Sequence, residues 1–505
     1  MQLLSPLSFP RVLAAAAAAF VVLAAVLTHS VTAREPLPPT VVTAKQDRAD
    51  AVYGKGDTVT WKVDVHSGDR SKLSALRYVI QRDGVTEVGK GVVDVSAAPA
   101  TVTASVTESC VLTLVIQPDD SNNVDLGKKP LSIGGALIAP HEIGPSVPEP
   151  ADFDAFWKGK LAELATVPMN PEVTPIDPEK LKDLKGVEDV EMFKVRLDNV
   201  GGTHVQGQLA RPKKGDKFPA LLILQYAGVY PLDKLKPAAN AAPGWLVLNI
   251  SAHDLPIDEP KEFYDAQKAG ALKDYIFKGS ENRDECYFVR MYLRCVRAAE
   301  YLASRPDWDG KVFVVTGDSQ GGMQSFATAA LFPKVTGLMV LVPAGSDFSA
   351  PLAASPRATS FPYWLAPWAP KDRDMAKVKT TAGYVDALNF ASRVTCPSLV
   401  SVGLIDETSR PTGIVATYNA LKGPKELLVM PGSDHHGRLK THQPYQARYT
   451  QWKKAFQKGS PIPITEGGIN TPPAPEVRPV PTTPPAPAAA PSPAATNAVL
   501  QPATS

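Results

Sequence analysis

Between Val41 and Ala139 apolar residues alternate with polar ones, most plainly at Val59, Trp61, Val63 and Val65, and the stretch from Thr101 to Val115 is rich in β-branched residues. A period of two predicts short, half-buried strands. The turn-forming triplets Ser67-Gly68-Asp69 and Arg82-Asp83-Gly84 separate the runs. Together they predict a small all-β sandwich of immunoglobulin-like type over residues 36–140. Whether such a sandwich binds polysaccharide or only packs against its neighbour is left open by the pattern.

The period then changes. A proline-punctuated connector, Pro140 to Pro150, leads into Asp152 to Leu164, where Phe153, Phe156 and Trp157 fall at helical spacing. Beyond it, apolar runs at Ala220–Gln225, Leu246–Ile250, Val312–Thr316, Leu338–Val342, Leu399–Leu404 and Leu427–Met430 alternate with helical stretches. One of these helices, Asp284 to Ala303, gathers Val289, Tyr292, Leu293 and Val296 on one face. Such alternation predicts an α/β domain over residues 150–458, a mostly parallel sheet covered by helices. From residue 459 to 505 Pro, Ala, Thr and Ser prevail, which predicts a disordered tail.

Charge and cysteine content narrow the function classes. With 53 Lys+Arg against 51 Asp+Glu in 505 residues, no bulk field favours nucleic acid or an anionic membrane, and a neutral or weakly charged substrate fits better. Residues 1–33 read as a signal peptide: Arg11, an apolar run from Val12 to Leu27, and the small-residue site Val31-Thr32-Ala33. The apolar run is short for a membrane span. Export to the periplasm, cell surface or medium follows. Four cysteines are too few for a disulfide scaffold. Cys286 and Cys295, on one predicted helix, would stand about 13 Å apart along its axis, beyond bridging distance, so buried free thiols are expected. No His or Cys spacing resembles a zinc site, and no metal or cofactor is implied.

The candidate chemistry begins at Gly317-Asp318-Ser319-Gln320-Gly321, a G-x-S-x-G pentapeptide. It follows the apolar run ending at Thr316 and precedes a helix-like segment, Met323 to Leu331. Strand, tight turn and helix are the setting of a nucleophile elbow in the α/β-hydrolase fold. A serine hydroxyl needs an imidazole to take its proton and a carboxylate to hold that imidazole in the right tautomer. In this fold the chain order is Ser, Asp, His. The acid is expected just after the strand ending near Leu404, which selects Asp406 with Glu407 as its neighbour and rival. Beyond them lie only His435, His436 and His442, and His435 follows the Leu427–Met430 strand most directly, with His436 the close alternative. The oxyanion that forms in acyl transfer needs two donors: the backbone N–H of Gln320, and one from the loop Gln225-Tyr226-Ala227-Gly228-Val229.

From about Phe153 to Phe456 the sequence resembles the acetyl xylan esterases and cephalosporin-C deacetylases of carbohydrate esterase family seven. Gly317-Asp318-Ser319-Gln320-Gly321-Gly322 looks like that family's elbow, and Cys295-Val296-Arg297-Ala298 like its preceding helix. Asn389-Phe390-Ala391, Arg393-Val394-Thr395-Cys396-Pro397, Gly403-Leu404-Ile405-Asp406 and Ala416-Thr417-Tyr418-Asn419 resemble the segments around its acid. The resemblance implies Ser319, Asp406 and His435 as triad and O-deacetylation of acetylated sugars or other small acetyl esters. It also implies homo-oligomers, which the added N-terminal region could obstruct.

Three places depart from the family pattern. Asp434-His435-His436 stands where Gly-His-Glu is usual, and Val229 replaces the second tyrosine of Gln-Tyr-x-Gly-Tyr, leaving its backbone N–H as donor. The family's Arg-Gly-Gln is replaced around Ser251-Ala252-His253-Asp254. Two other readings remain compatible with the residues: a serine peptidase or longer-chain esterase of the same fold, and a non-catalytic carbohydrate- or wall-binding protein on a hydrolase scaffold.

Overall fold

The computed structural model describes residues 41–66, 75–96, 100–117, 129–177, 179 and 181–473. The expected signal peptide, the triplet Ser67-Gly68-Asp69 and the end of the tail lie outside the described residues.

Two small sheets come first. Strands Val42–Gln46, Thr58–Val65 and Ala100–Ser105 form a three-stranded sheet, and Val52–Tyr53, Ala75–Arg82, Thr86–Asp94, Cys110–Ile116 and Leu131–Ile138 form a five-stranded one. The inward positions of the alternating run, Val59, Trp61 and Val63, are fully buried between them with Leu112, Leu114 and Ile138. The strand Cys110–Ile116 is buried at every position, so its second face is covered too. What covers it is the larger part of the molecule: Ala51, Val111 and Leu137 share one apolar cluster with Leu404, Ile414 and Val415.

A ten-stranded sheet forms the rest. From one edge it runs Ile469–Asn470, Lys425–Met430, Ser398–Gly403, Gly337–Leu341, Trp308–Asp318, Phe218–Leu224 and Leu246–Ile250, every neighbouring pair parallel. It continues through His204–Pro212, Val190–Asp198 and Glu172–Pro175, each antiparallel to the strand before. The parallel strands are continuous apolar runs because both faces are covered. Helices Phe153–Ala165, Tyr287–Ser304, Gln320–Leu331 and Pro411–Ala420 lie on one face, with Leu235–Ala241 and Gln443–Lys458 on the other. The antiparallel edge carries polar residues at alternate positions, which hides it from a search for apolar runs.

One expectation is corrected. The tail expected to be disordered from residue 459 is ordered as far as residue 473. Ile462 and Ile464 pack against an apolar cluster, and Ile469–Asn470 adds the last parallel strand beside Lys425–Met430. The buried carboxylate of Glu426 anchors it, accepting from Thr465 N at 2.8 Å and Asn470 Nδ2 at 2.9 Å while paired with Arg448 at 2.6 Å. Proline-rich composition concealed a short segment that satisfies a buried charge.

Candidate active site

Ser319 sits between the central strand Trp308–Asp318 and the helix Gln320–Leu331, with φ 54° and ψ −119°. A non-glycine residue at positive φ is strained, and here the surroundings hold it. Its N–H donates to Leu341 O at 2.9 Å, and its carbonyl accepts from Gly322 N and Ala344 N, both at 2.9 Å. The glycines of the motif permit the close turn: a Cβ on Gly317 would lie 2.3 Å from Gly321 C, and one on Gly321 only 2.2 Å from Leu224 O. The hydroxyl is thereby held at the end of the strand, half-buried, with a helix N-terminus behind it.

His435 Nε2 lies 2.8 Å from Ser319 Oγ, and His435 Nδ1 lies 2.8 Å from Asp406 Oδ2. A carboxylate oxygen only accepts, so Nδ1 carries the proton and the Nε2 lone pair faces the serine hydroxyl. Asp406 follows the strand Ser398–Gly403 and is buried; its Oδ1 accepts from the N–H groups of Thr408 and Ser409, each at 2.8 Å. Burial alone would lower the His435 pKa, but the Asp406 charge and hydrogen bond, with smaller help from the Asp434 and Asp318 charges, outweigh it, and the imidazole is raised above its ordinary value. The loop carrying His435 lies against the acid turn: Ile405 N donates to Ser433 O at 3.2 Å, and a Cβ on Gly403 would come within 2.5 Å of the same oxygen.

The rivals are placed elsewhere. Glu407 is exposed and accepts from Ser132 Oγ at 2.7 Å. His436 is exposed beside His435, and His442 lies 3.2 Å from Asp434 O. Asp434 is bound by the N–H and the guanidinium of Arg438. All four cysteines are buried and free. Among the described residues no group of three or more His, Cys, Asp or Glu side chains could hold a metal ion.

On the other side of Ser319 stand Gln320 and the loop after the strand Phe218–Leu224. Gln320 occupies the first helical position, where no carbonyl of the helix can take its N–H. Among the described residues no acceptor takes the Val229 N–H either. A feature that no sequence signal marked joins the two segments. The buried Tyr275 hydroxyl donates to Gln320 Oε1 at 2.6 Å and accepts from Gly228 N at 3.3 Å. Next to it His253 Nε2 donates to Gly228 O at 3.0 Å, while Nδ1 accepts from the Tyr287 hydroxyl at 2.7 Å. Burial lowers the His253 pKa to about 4, so the ring is neutral and keeps this arrangement. Tyr275 lies in a one-turn helix, Tyr275–Phe277, that no motif or periodicity marks. His253 did register, as a departure from a family motif.

Fold and site together define an α/β-hydrolase: a central parallel strand presenting a serine at positive φ, with a carboxylate and an imidazole after later strands of the same sheet. A family model for acetyl xylan esterases matches residues 140–456, and the chain belongs to that family of carboxylic ester hydrolases. The acetyl esterase Axe7A of Xylanibacter ruminicola is 32% identical over 322 residues, 63% of this chain and 70% of that one. In fold, the chain is similar to the acetyl xylan esterase from Paenibacillus sp. R4, with a TM-score of 0.51 at 24% identity, covering 61% of this chain and 97% of the other. The family match begins beyond the two small sheets.

Proposed function

We propose that this protein is an exported serine esterase that removes O-acetyl groups from acetylated xylan, xylo-oligosaccharides or similar small acetyl esters. The observation that carries the mechanism is the unbroken Ser319–His435–Asp406 hydrogen-bonded chain. Ser319 Oγ attacks the ester carbonyl as its proton passes to His435 Nε2, and the imidazolium is stabilised by Asp406. The carbonyl oxygen, now negative, is met by the N–H groups of Gln320 and Val229. Collapse expels the sugar alkoxide, which takes the proton from His435 and leaves an acetyl-Ser319 ester. Water, deprotonated by the same imidazole, then releases acetate and restores the serine. Family membership supports the acetyl substrate, and the leader-like residues 1–33 support export.

Acetate release from an acetylated xylo-oligosaccharide, run beside 4-nitrophenyl acetate and 4-nitrophenyl octanoate, tests the substrate. The oligosaccharide should be deacetylated, and kcat/KM for the acetyl ester should exceed that for the octanoyl ester at least about tenfold. Hydrolysis of the octanoyl ester at an equal rate, with no acetate from the sugar, would move the reading to a longer-chain esterase.

The bridging hydroxyl gives a second test. Tyr275→Phe removes one group that holds both Gln320 and Gly228. Because it acts on the donors rather than on the oxyanion, its loss should be smaller than the roughly 10²–10³ of a missing donor. A fall in kcat of about 10- to 30-fold with KM nearly unchanged is expected from steady-state kinetics on 4-nitrophenyl acetate.

A further inference from the structure

We propose that the N-terminal pair of sheets is a positioning element of the active site, one wall of a clamp that fixes the turn bearing Asp406. The proposal rests on Asp406 serving as the acid of the triad. It assigns a function to a region that lies before the family match, which starts at residue 140.

The contacts converge on one short segment. Leu404 and Glu407 flank the Asp406 turn, and Thr412 opens the helix that follows it. Ser132 Oγ donates to Glu407 Oε1 at 2.7 Å. Thr412 Oγ1 donates at 2.8 Å to Asp83 Oδ1, an oxygen that also accepts from Val111 N at 3.0 Å within the five-stranded sheet. Backbone meets backbone at Gly135, where a Cβ would stand 2.3 Å from Leu404 Cβ and 2.9 Å from Leu404 O. Within the same turn, Thr408 O accepts from Phe361 N at 3.0 Å and Ser360 Oγ at 3.1 Å, and the 358–361 segment is itself tied back through Ala358 N to Asp83 O at 2.9 Å. The acid turn is therefore held by the N-terminal sheet and by the 358–361 segment, and the hairpin turn at Asp83 reaches both.

Loops are the mobile parts of a fold, and a triad carboxylate must stay within about 0.5 Å of its working position. A spacer domain would need no backbone-level approach to this turn. A polysaccharide-binding domain would need none either.

The strand Leu131–Ile138 supplies a matched pair of probes. A Cβ on Gly134 would point into the sandwich itself, 2.9 Å from Ala44 Cβ and 3.0 Å from Trp61 Cδ1, whereas one on Gly135 points at Leu404. Gly134→Ala and Gly135→Ala are made in the full chain. kcat, KM and the pH dependence of kcat/KM are measured with 4-nitrophenyl acetate, and unfolding is followed thermally.

Gly135→Ala should lower kcat about tenfold or more at nearly constant KM. It should also move the acidic limb of kcat/KM to lower pH. Burial pulls His435 down and Asp406 holds it up, so displacing the carboxylate lowers the pKa of the base. Gly134→Ala should lower the unfolding temperature and leave kcat and the limb in place. The double variant Ser132→Ala/Thr412→Val removes two bonds across the seam without a clash, and should reproduce the limb shift with a kcat loss of about threefold to tenfold.

A wild-type limb in both Gly135→Ala and the double variant would overturn the proposal, as would equal kcat losses in the two glycine variants. If Asp406→Asn were itself harmless, the acid assignment would have failed and the clamp with it. A shifted limb in the seam variants beside a damaged Asp406→Asn enzyme upholds both.

Discussion

Ser319→Ala is expected to lower kcat for acetyl ester hydrolysis by on the order of 10⁵- to 10⁶-fold, about 7 to 8 kcal/mol of barrier. In the proposed mechanism the hydroxyl oxygen bonds to the acyl carbon, and in the folded protein it already stands 2.8 Å from His435 Nε2. Alanine at φ 54° meets the same backbone strain as serine, and the bonds that hold the turn, its N–H to Leu341 O and its carbonyl from Gly322 N and Ala344 N, all involve its main chain. The fold and substrate binding should therefore survive. Single-turnover kinetics with 4-nitrophenyl acetate check it: the acyl-enzyme burst should vanish while circular dichroism and unfolding temperature stay close to those of the parent.

Asp406→Asn is expected to lower kcat by roughly 10⁴-fold, about 5 kcal/mol, at neutral pH. The turn decides why. Thr408 N and Ser409 N both donate to Oδ1, so the amide oxygen of asparagine must take that place and its NH₂ must face His435 Nδ1. A donor there obliges Nδ1 to accept, which puts the ring proton on Nε2 and points it at Ser319. The imidazole then has no lone pair for the serine proton.

The pH profile carries the same argument. His435 acts as a base only when neutral, so activity is lost as pH falls through its pKa. In the parent, burial lowers that pKa but the charge and hydrogen bond of Asp406, with the charges of Asp434 and Asp318, outweigh it and raise it, so the acidic limb is expected above that of an ordinary imidazole. In the variant both Asp406 contributions disappear, and the residual activity should persist to lower pH. A limb that did not move would place the acid elsewhere.

The two predictions differ in how far the chain itself announced them. Ser319 was legible because its signal is local: two glycines, an apolar strand before and a helix after, all within about twenty residues, specify the strained turn through their own sterics. The six apolar runs were legible for the same kind of reason, since a parallel strand covered on both faces must be apolar throughout. The antiparallel strands Val190–Asp198 and His204–Pro212 were not, because apolar residues in them are interrupted by polar, partly exposed ones such as Glu191, Lys194, Arg196, His204 and Gln206.

The partners of the serine were narrowed by order along the chain but not chosen by it. His435 and His436 differ by one residue in a loop, as do Asp406 and Glu407, and no periodicity tells which of two loop neighbours turns inward. That choice is made by Gly403 admitting the base loop against the acid strand, and by Thr408 and Ser409 turning Asp406 inward while Ser132 takes Glu407. Tyr275 and His253 bracing the oxyanion loop, and Asp83 and Gly135 behind the acid turn, lay further out of reach.

By itself, then, the sequence determined the class of sheet and the strained turn that presents Ser319, the candidate nucleophile, because steric and solvation rules acting on adjacent residues suffice for these. Only the tertiary structure decided which histidine and which carboxylate join Ser319 in one hydrogen-bonded chain, what steadies the proposed oxyanion donors, and what the N-terminal sheets touch. Ser319 and His435 stand 116 residues apart in sequence, and Thr412 and Asp83 stand 329 apart. Contacts of that reach are set by the packing of whole elements, and no short window of residues carries them.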